Sequence, residues 1–156
     1  MHKGTWLITG GAGYIGSHTI VELISSGYGL VVLDNFVNSD SIVFERIRQI
    51  TGKNTPYVQA DILDQTALEC LFTKYAQAGE PIQGVIHFAG LKAVAESVQD
   101  PLRYYTNNVE GTLSLLRAMQ NTGIKRIVFS SSATVYGKPE FLPSTENHQI
   151  APINPY

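Results

Sequence analysis

Residues 9–16 read Thr-Gly-Gly-Ala-Gly-Tyr-Ile-Gly, directly after the apolar run Trp6, Leu7, Ile8 and directly before a helical pattern. Strand, glycine-rich turn and helix start therefore follow one another without spacers. Glycines at 10, 13 and 16 permit a tight turn, close approach of backbone to phosphate, and close contact between helix and strand. The helix N-terminus adds free N–H groups and the positive end of a dipole. This arrangement seats a pyrophosphate, and it sets the rest of the chain an α/β pattern to continue.

The chain does continue it. Apolar runs rich in β-branched residues predict strands at Thr5–Thr9, Leu30–Asp34, Tyr57–Asp61, Gly84–Phe88 and Arg126–Ser130. Leu30 to Leu33 is apolar on both faces, as suits a strand buried between helix layers. Helices are predicted from Tyr14 to Ser26, ended by Gly27, and from Ser41 to Ile50, ended by Gly52. Leu68, Leu71, Phe72, Tyr75 and Ala76 recur at helical spacing, behind Asp64 as N-cap and ahead of Gly79 and Pro81 as stop. Tyr105, Val109, Leu113 and Leu116 make a second stripe, in a helix opened near Pro101 and ended near Gly123. Five strands joined by helix-length crossovers predict a parallel sheet covered on both faces, in the order 3-2-1-4-5. That is a Rossmann-type doubly wound fold. Its ligand crevice lies beyond the carboxyl ends of strands 1 and 4, so the residues just after each strand are where a site is expected.

Composition narrows the classes. With 156 residues, 44% hydrophobic and 15% charged, the chain has material for one real core and lacks the signature of disorder. A net charge of −2 gives no basic field for nucleic acid, and no apolar run approaches a membrane span. The first strand begins so early that no targeting leader is expected. Cys70, among Leu68, Leu71 and Phe72, is expected to be a buried small apolar residue. A single thiol makes no internal disulfide and fits a reducing cytoplasm. His2, His18, His87 and His148 lack metal-ligand spacing, so no metal is expected.

After strand 2 stand Asp34 and Asn35, with Asp34 18 residues beyond Gly16. A carboxylate there accepts both ribose hydroxyls of an adenosine and repels a 2′-phosphate, which favours NAD over NADP; the same pair also suits a plain turn. Asn38 and Ser39 offer further polar contacts or a cap for the next helix. Asp61 and Ile62 follow strand 3, where the carboxylate suits an adenine amine or an Asx turn equally well. Phe88, Ala89, Gly90, Leu91 and Lys92 follow strand 4. Small residues at 89 and 90 let a cofactor approach, and Lys92 is either a ribose or phosphate ligand or a solvated surface charge. His87, inside the strand, is expected to be a core histidine bonded to backbone. Ser130, Ser131 and Ser132 follow strand 5; three hydroxyls there are costly to bury without partners, so a polar ligand explains them better than a serine-rich turn.

These residues, with Tyr104, Tyr105, Asn107 and Asn108, the string Ser130 to Gly137 (Ser-Ser-Ser-Ala-Thr-Val-Tyr-Gly) and the closing Asn154, Pro155 and Tyr156, make the chain similar to the extended short-chain dehydrogenase/reductase family, in its nucleotide-sugar epimerase branch. Ala95 departs mildly from it, standing where those epimerases usually carry Gly. The resemblance implies a tightly held NAD and the interconversion of UDP-galactose and UDP-glucose by transient oxidation at C4, a step in galactose metabolism. It implies that Tyr14, Ile15, Asp34, Asn35, Asn38, Ser39, Asp61, Ile62, Phe88, Ala89, Gly90, Lys92 and Asn107 fall on NAD contacts. It further implies that Ser132 bonds the sugar 4-oxygen, that Tyr156 is the base, and that Lys92, Ser132 and Tyr156 meet the substrate. Related dehydratases place an Asp-Glu pair directly after the strand-5 hydroxyl residue, where this chain has Ala133 and Thr134. An epimerase for another nucleotide sugar, or a module that binds NAD(H) without using it, are the competing readings.

Asn154 as N-cap and Pro155 as first helical residue announce a helix whose body is not in this sequence. The expectation is an incomplete NAD-binding domain over residues 1–156, truncated after the fifth strand, with the substrate domain absent and the chain inactive alone. The family tyrosine works with a lysine one helical turn further on, because a free phenol ionises only near pH 10. A homodimer, joined through the helix near Pro101–Asn121, is the further implication of the resemblance.

Overall fold

The computed structural model describes residues 3–139 and 141–156. Its five strands are β1 (Thr5–Thr9), β2 (Gly29–Asp34), β3 (Tyr57–Gln59), β4 (Ile82–His87) and β5 (Ile127–Phe129). All pair in parallel, in the order β3-β2-β1-β4-β5. The crossovers carry α1 (Tyr14–Ser25), α2 (Ile42–Thr51), α3 (Gln65–Gln77), α4 (Val94–Gln99), α5 (Pro101–Tyr104) and α6 (Gly111–Thr122). A π-helical segment, Tyr105–Glu110, joins α5 to α6, and a 3-10 turn, Ala133–Tyr136, follows β5.

Alternation along the central strands builds two cores. Leu7, Val31, Leu33 and Val85 face Leu68, Leu71 and Phe72 of α3 and Leu115, Ala118 and Met119 of α6. Ile8, Leu30 and Val32 face Ile20 and Ile24 of α1 and Phe44 and Ile47 of α2. The sheet is thus covered on both faces, as expected of a doubly wound fold. Helix ends obey local chemistry. Asp64 caps α3 through the amide of Ala67 at 2.9 Å, Asp100 caps the Pro101 turn, and Gly52 and Gly123 close α2 and α6 at φ +71° and +78°.

Several expectations need correction. β3 and β5 are shorter than predicted, because Asp61 turns the chain by accepting from the amides of Leu63 and Asp64, and the β5 ladder ends with the Ser130 amide on the His87 carbonyl at 3.1 Å. The helix after Pro101 is broken in three, and its buried face is not the predicted stripe. Tyr104, Gly111, Ser114, Leu115, Ala118 and Met119 are buried, while Tyr105, Val109, Leu113 and Leu116 are exposed. This segment is apolar on two sides, and the side that takes the sheet sets Gly111, Ser114 and Ala118 among the larger Tyr104, Leu115 and Met119, which lets it pack close: a Cβ on Gly111 would lie 2.6 Å from Ile62 Cγ2. Cys70 is exposed, since it lies about 200° around the helix from Leu68.

Candidate functional site

Strand register brings four carboxyl ends level: Thr9 lies beside Leu33 and His87, and His87 beside Phe129. Beyond this rim a cleft of about 430 Å³ runs from Asp34 and Asn35, past the start of α1, to Ser132 and Tyr156. That volume suits a ligand of cofactor size. Asp34 and Lys92 bring opposite charges to its lining.

The glycine turn is built by contact. Gly10 sits at φ +67°, and a Cβ there would come within 2.6 Å of the Ala89 nitrogen. At Gly16 it would meet the Gly10 carbonyl oxygen at 2.5 Å. Gly13 differs: its nearest neighbour would be the Gly10 oxygen at 3.3 Å, and it lines the cleft as the N-cap of α1. The fold therefore requires Gly10 and Gly16, whereas a side chain at Gly13 would fill the anion seat at the helix N-terminus. Gly13→Ala is expected to keep the fold, with a thermal midpoint within a few degrees, and to lose dinucleotide binding. Gly10→Ala is expected to lower the midpoint substantially; calorimetry on both variants checks the contrast.

Asp34 is buried, and its Oδ2 accepts the Ala12 amide at 2.9 Å while Oδ1 accepts the Phe36 amide and the Ser39 hydroxyl, each at 3.0 Å. These donors compensate the buried charge, and the carboxylate still lines the cleft. Phe36 adopts φ +58°, held by edge contacts with Phe44 and Tyr57. Asn35 donates to Asp61 Oδ2 at 2.9 Å.

Of the residues singled out from sequence, Gly10, Gly13, Tyr14, Ile15, Gly16, Asp34, Asn35 and Asn38 line the part of the cleft contributed by the glycine turn, α1 and the end of β2. Ile62, Phe88, Ala89, Gly90, Lys92, Asn107, Ser132 and Tyr156 line the remainder. Ser39 and Asp61 do not. Ser39 holds Asp34 instead of capping α2, and Asp61 makes an Asx turn to Leu63 while bracing Asn35. Ser132 Oγ also accepts the Thr134 amide at 3.2 Å and so starts the 3-10 turn. His87 is buried but bonds two threonine hydroxyls, not backbone. Burial lowers it to about 4, so it is neutral at pH 7.

Sequence reasoning gave no site role to His87, Asn108 or Thr112, which line the cleft too. An Asn-Asn pair inside a helical stripe is poor in helix propensity and was the available signal. Apolar lining residues such as Leu33, Val37 and Val135 carry none, because their types are those of any core. Among the described residues no group of three or more His, Cys, Asp or Glu side chains is placed to hold a metal, and no helix is long and apolar enough to cross a membrane; His2 lies outside the described residues.

A parallel sheet in this order, with a glycine turn feeding a helix N-terminus and a carboxylate after β2, defines a Rossmann-type α/β protein. More narrowly, the chain belongs to the family described as GDP-mannose 4,6 dehydratase, whose model matches residues 7–156. It is 55% identical over 150 residues to the UDP-glucose 4-epimerase of Bacillus subtilis (strain 168), covering 96% of this chain and 43% of that protein. It is 52% identical over 157 residues to the UDP-glucose 4-epimerase of Mus musculus, covering 96% and 44%. Among solved structures, the UDP-glucose 4-epimerase from Bifidobacterium longum in complex with NAD+ and UDP superposes with a TM-score of 0.89 at 47% identity, over 97% of this chain and 44% of that one. That from Stenotrophomonas maltophila, with bound NAD and formylated UDP-arabinopyranose, gives 0.91 at 46%, over 98% and 44%. The chain thus spans less than half the length of the relatives it matches.

Proposed function

We propose that the cleft binds NAD and that the protein containing these residues interconverts UDP-galactose and UDP-glucose in the cytoplasm. The observation that carries the reading is the continuity of one cleft from a buried carboxylate, across an open glycine cradle, to a serine and a tyrosine. The cradle at Gly13 fits a pyrophosphate, and the Asp34 carboxylate fits an adenosine ribose. The relatives named above support the reading at about half identity. Residues 1–156 form the cofactor-binding part, and the substrate domain lies outside them.

NAD, when bound, supplies a reversible hydride acceptor for the sugar C4. The chain's own residues do the rest. Ser132 Oγ bonds the sugar 4-oxygen, Tyr156 takes and returns its proton, and Lys92 orients the ligand. The family description points to a dehydratase, but elimination of water needs an acid/base pair beside the reacting hydroxyl. Here Ala133 has no proton to exchange, and the Thr134 hydroxyl is engaged with Ser132 at 2.9 Å. That favours an epimerase.

The exposed stripe of Tyr105, Val109, Leu113 and Leu116 supports a homodimer, because a helix apolar on two sides needs a second partner. Sedimentation of the full-length protein as a dimer checks this. The functional experiment supplies UDP-galactose and NAD to the full-length protein and follows UDP-glucose by NMR. Product is expected there, and none from residues 1–156 alone; a full-length protein that binds NAD but never converts the sugar refutes the reading.

A further inference from the structure

Along the floor of the cleft, whose lining includes His87 and Thr112, a thread of hydrogen bonds runs from the end of β1 to the π-helical segment. His87 is 3% exposed, with Nδ1 2.6 Å from Thr9 Oγ1 and Nε2 3.1 Å from Thr112 Oγ1. The Thr112 hydroxyl donates its one proton to the Asn108 carbonyl at 2.6 Å, and a carbonyl only accepts. The bond between His87 and Thr112 therefore requires the ring proton on Nε2. A neutral ring then has Nδ1 bare, to receive the Thr9 hydroxyl proton. The Thr9 oxygen, in turn, faces the Ala89 amide at 3.4 Å. Every link has a single direction.

The far end of the thread reaches the cleft wall. Asn108 Oδ1 accepts from the Leu91 amide and from Asn107 Nδ2, each at 2.8 Å, and its Nδ2 donates to the Leu91 carbonyl at 2.9 Å. Leu91 sits between Gly90 and Lys92, both lining residues. The segment so held is a π turn, a rare wider coil that recurs at functional sites.

We propose that His87 is a positioning residue: as the Nε2–H tautomer it locks the Tyr105–Glu110 π turn, and with it Asn108 and the Ala89–Lys92 wall of the cleft, to the end of β1. Packing alone does not account for an imidazole here, since an apolar side chain would fill the space without two buried nitrogens to satisfy. The affinity arm of the test rests on the NAD reading above; the tautomer arm does not.

On the full-length protein labelled with 15N-histidine, long-range proton–nitrogen NMR at neutral pH is expected to show His87 as the Nε2–H tautomer. The His87→Gln variant assigns the signal. An Nδ1–H form, or a mixture, overturns the proposal. NAD affinity then tests the coupling. His87→Phe and Thr112→Val are each expected to weaken binding about tenfold, and the double variant no more than either alone, because both cut one thread. His87→Gln, which keeps an N–H for Thr112, is expected to recover most of the loss. Multiplying losses, or no loss, overturn the proposal. If His87→Phe fails to fold, Thr112→Val combined with His87→Gln carries the same comparison. A wild-type protein that does not bind NAD at all refutes the functional reading, and the tautomer still decides the role of His87.

Discussion

Tyr156→Phe in the full-length protein is expected to lower interconversion of the two UDP-sugars by about 10²- to 10⁴-fold, the range lost with a positioned acid–base group. The substitution removes one hydroxyl from a half-buried ring on the cleft wall, so folding and cofactor seating have no reason to suffer. NAD affinity is expected to stay within about threefold, because the phenyl ring remains on the cleft wall and only its hydroxyl is lost. Ser132→Ala is expected to give a smaller fall, since in the proposed chemistry its oxygen bonds the substrate but does not carry the proton. It should also loosen the 3-10 turn that this oxygen starts. Activity assayed beside calorimetric NAD titration separates the cases. A Tyr156→Phe enzyme with unchanged turnover would remove Tyr156 from the chemistry.

The second large effect concerns Asp34. Asp34→Ala is expected to weaken NAD binding roughly 100-fold, the loss of two charge-assisted bonds to ribose hydroxyls at about 1.5 kcal/mol or more each. It should also narrow the preference for NAD over NADP, since the carboxylate that repels a 2′-phosphate is gone. A stability cost accompanies this. The buried carboxylate satisfies the Ala12 and Phe36 amides and the Ser39 hydroxyl, and leaving such groups unpaired costs about 1–3 kcal/mol. Asp34→Asn keeps an acceptor for these donors and should restore stability more than affinity. A variant with a lowered melting temperature and unchanged affinity would make Asp34 a brace for the turn and nothing more.

Much of the architecture is legible in the chain because short-range chemistry writes it. The doubly apolar run Leu30 to Leu33 announces a central strand, and Gly27, Gly52 and Gly123 end helices by the left-handed geometry that favours them. Once the order of strands follows, the rule that sites collect at carboxyl ends points to Asp34, Phe88 and Ser132 without further help. What the sequence hides depends on a choice between two faces of one helix that both carry apolar residues. Tyr105, Val109, Leu113 and Leu116 make the more evenly apolar stripe, yet the face on which Leu115 and Met119 stand among the small Gly111, Ser114 and Ala118 packs close to Ile62 and is the buried one. Hydropathy alone ranks these two stripes wrongly. The π segment leaves no compositional trace beyond the pair Asn107 and Asn108. Ser39 and Asp61 were legible as polar residues near the site, but only coordinates show that each supports a neighbour and does not face the cleft. His87 is the sharpest case: its type suggested a satisfied core residue, and its partners, 78 positions upstream and 25 downstream, come from elements no local pattern connects.

The central claim is that one cleft at the carboxyl rim of this sheet carries a dinucleotide from Asp34 to Ser132 and Tyr156. A crystal structure of the full-length protein grown with NAD tests it most directly. The account predicts the adenosine ribose at Asp34, the pyrophosphate over Gly13 at the start of α1, and the nicotinamide facing Ser132 and Tyr156. A dinucleotide bound away from Gly13, or a nicotinamide turned from both side chains, would contradict it.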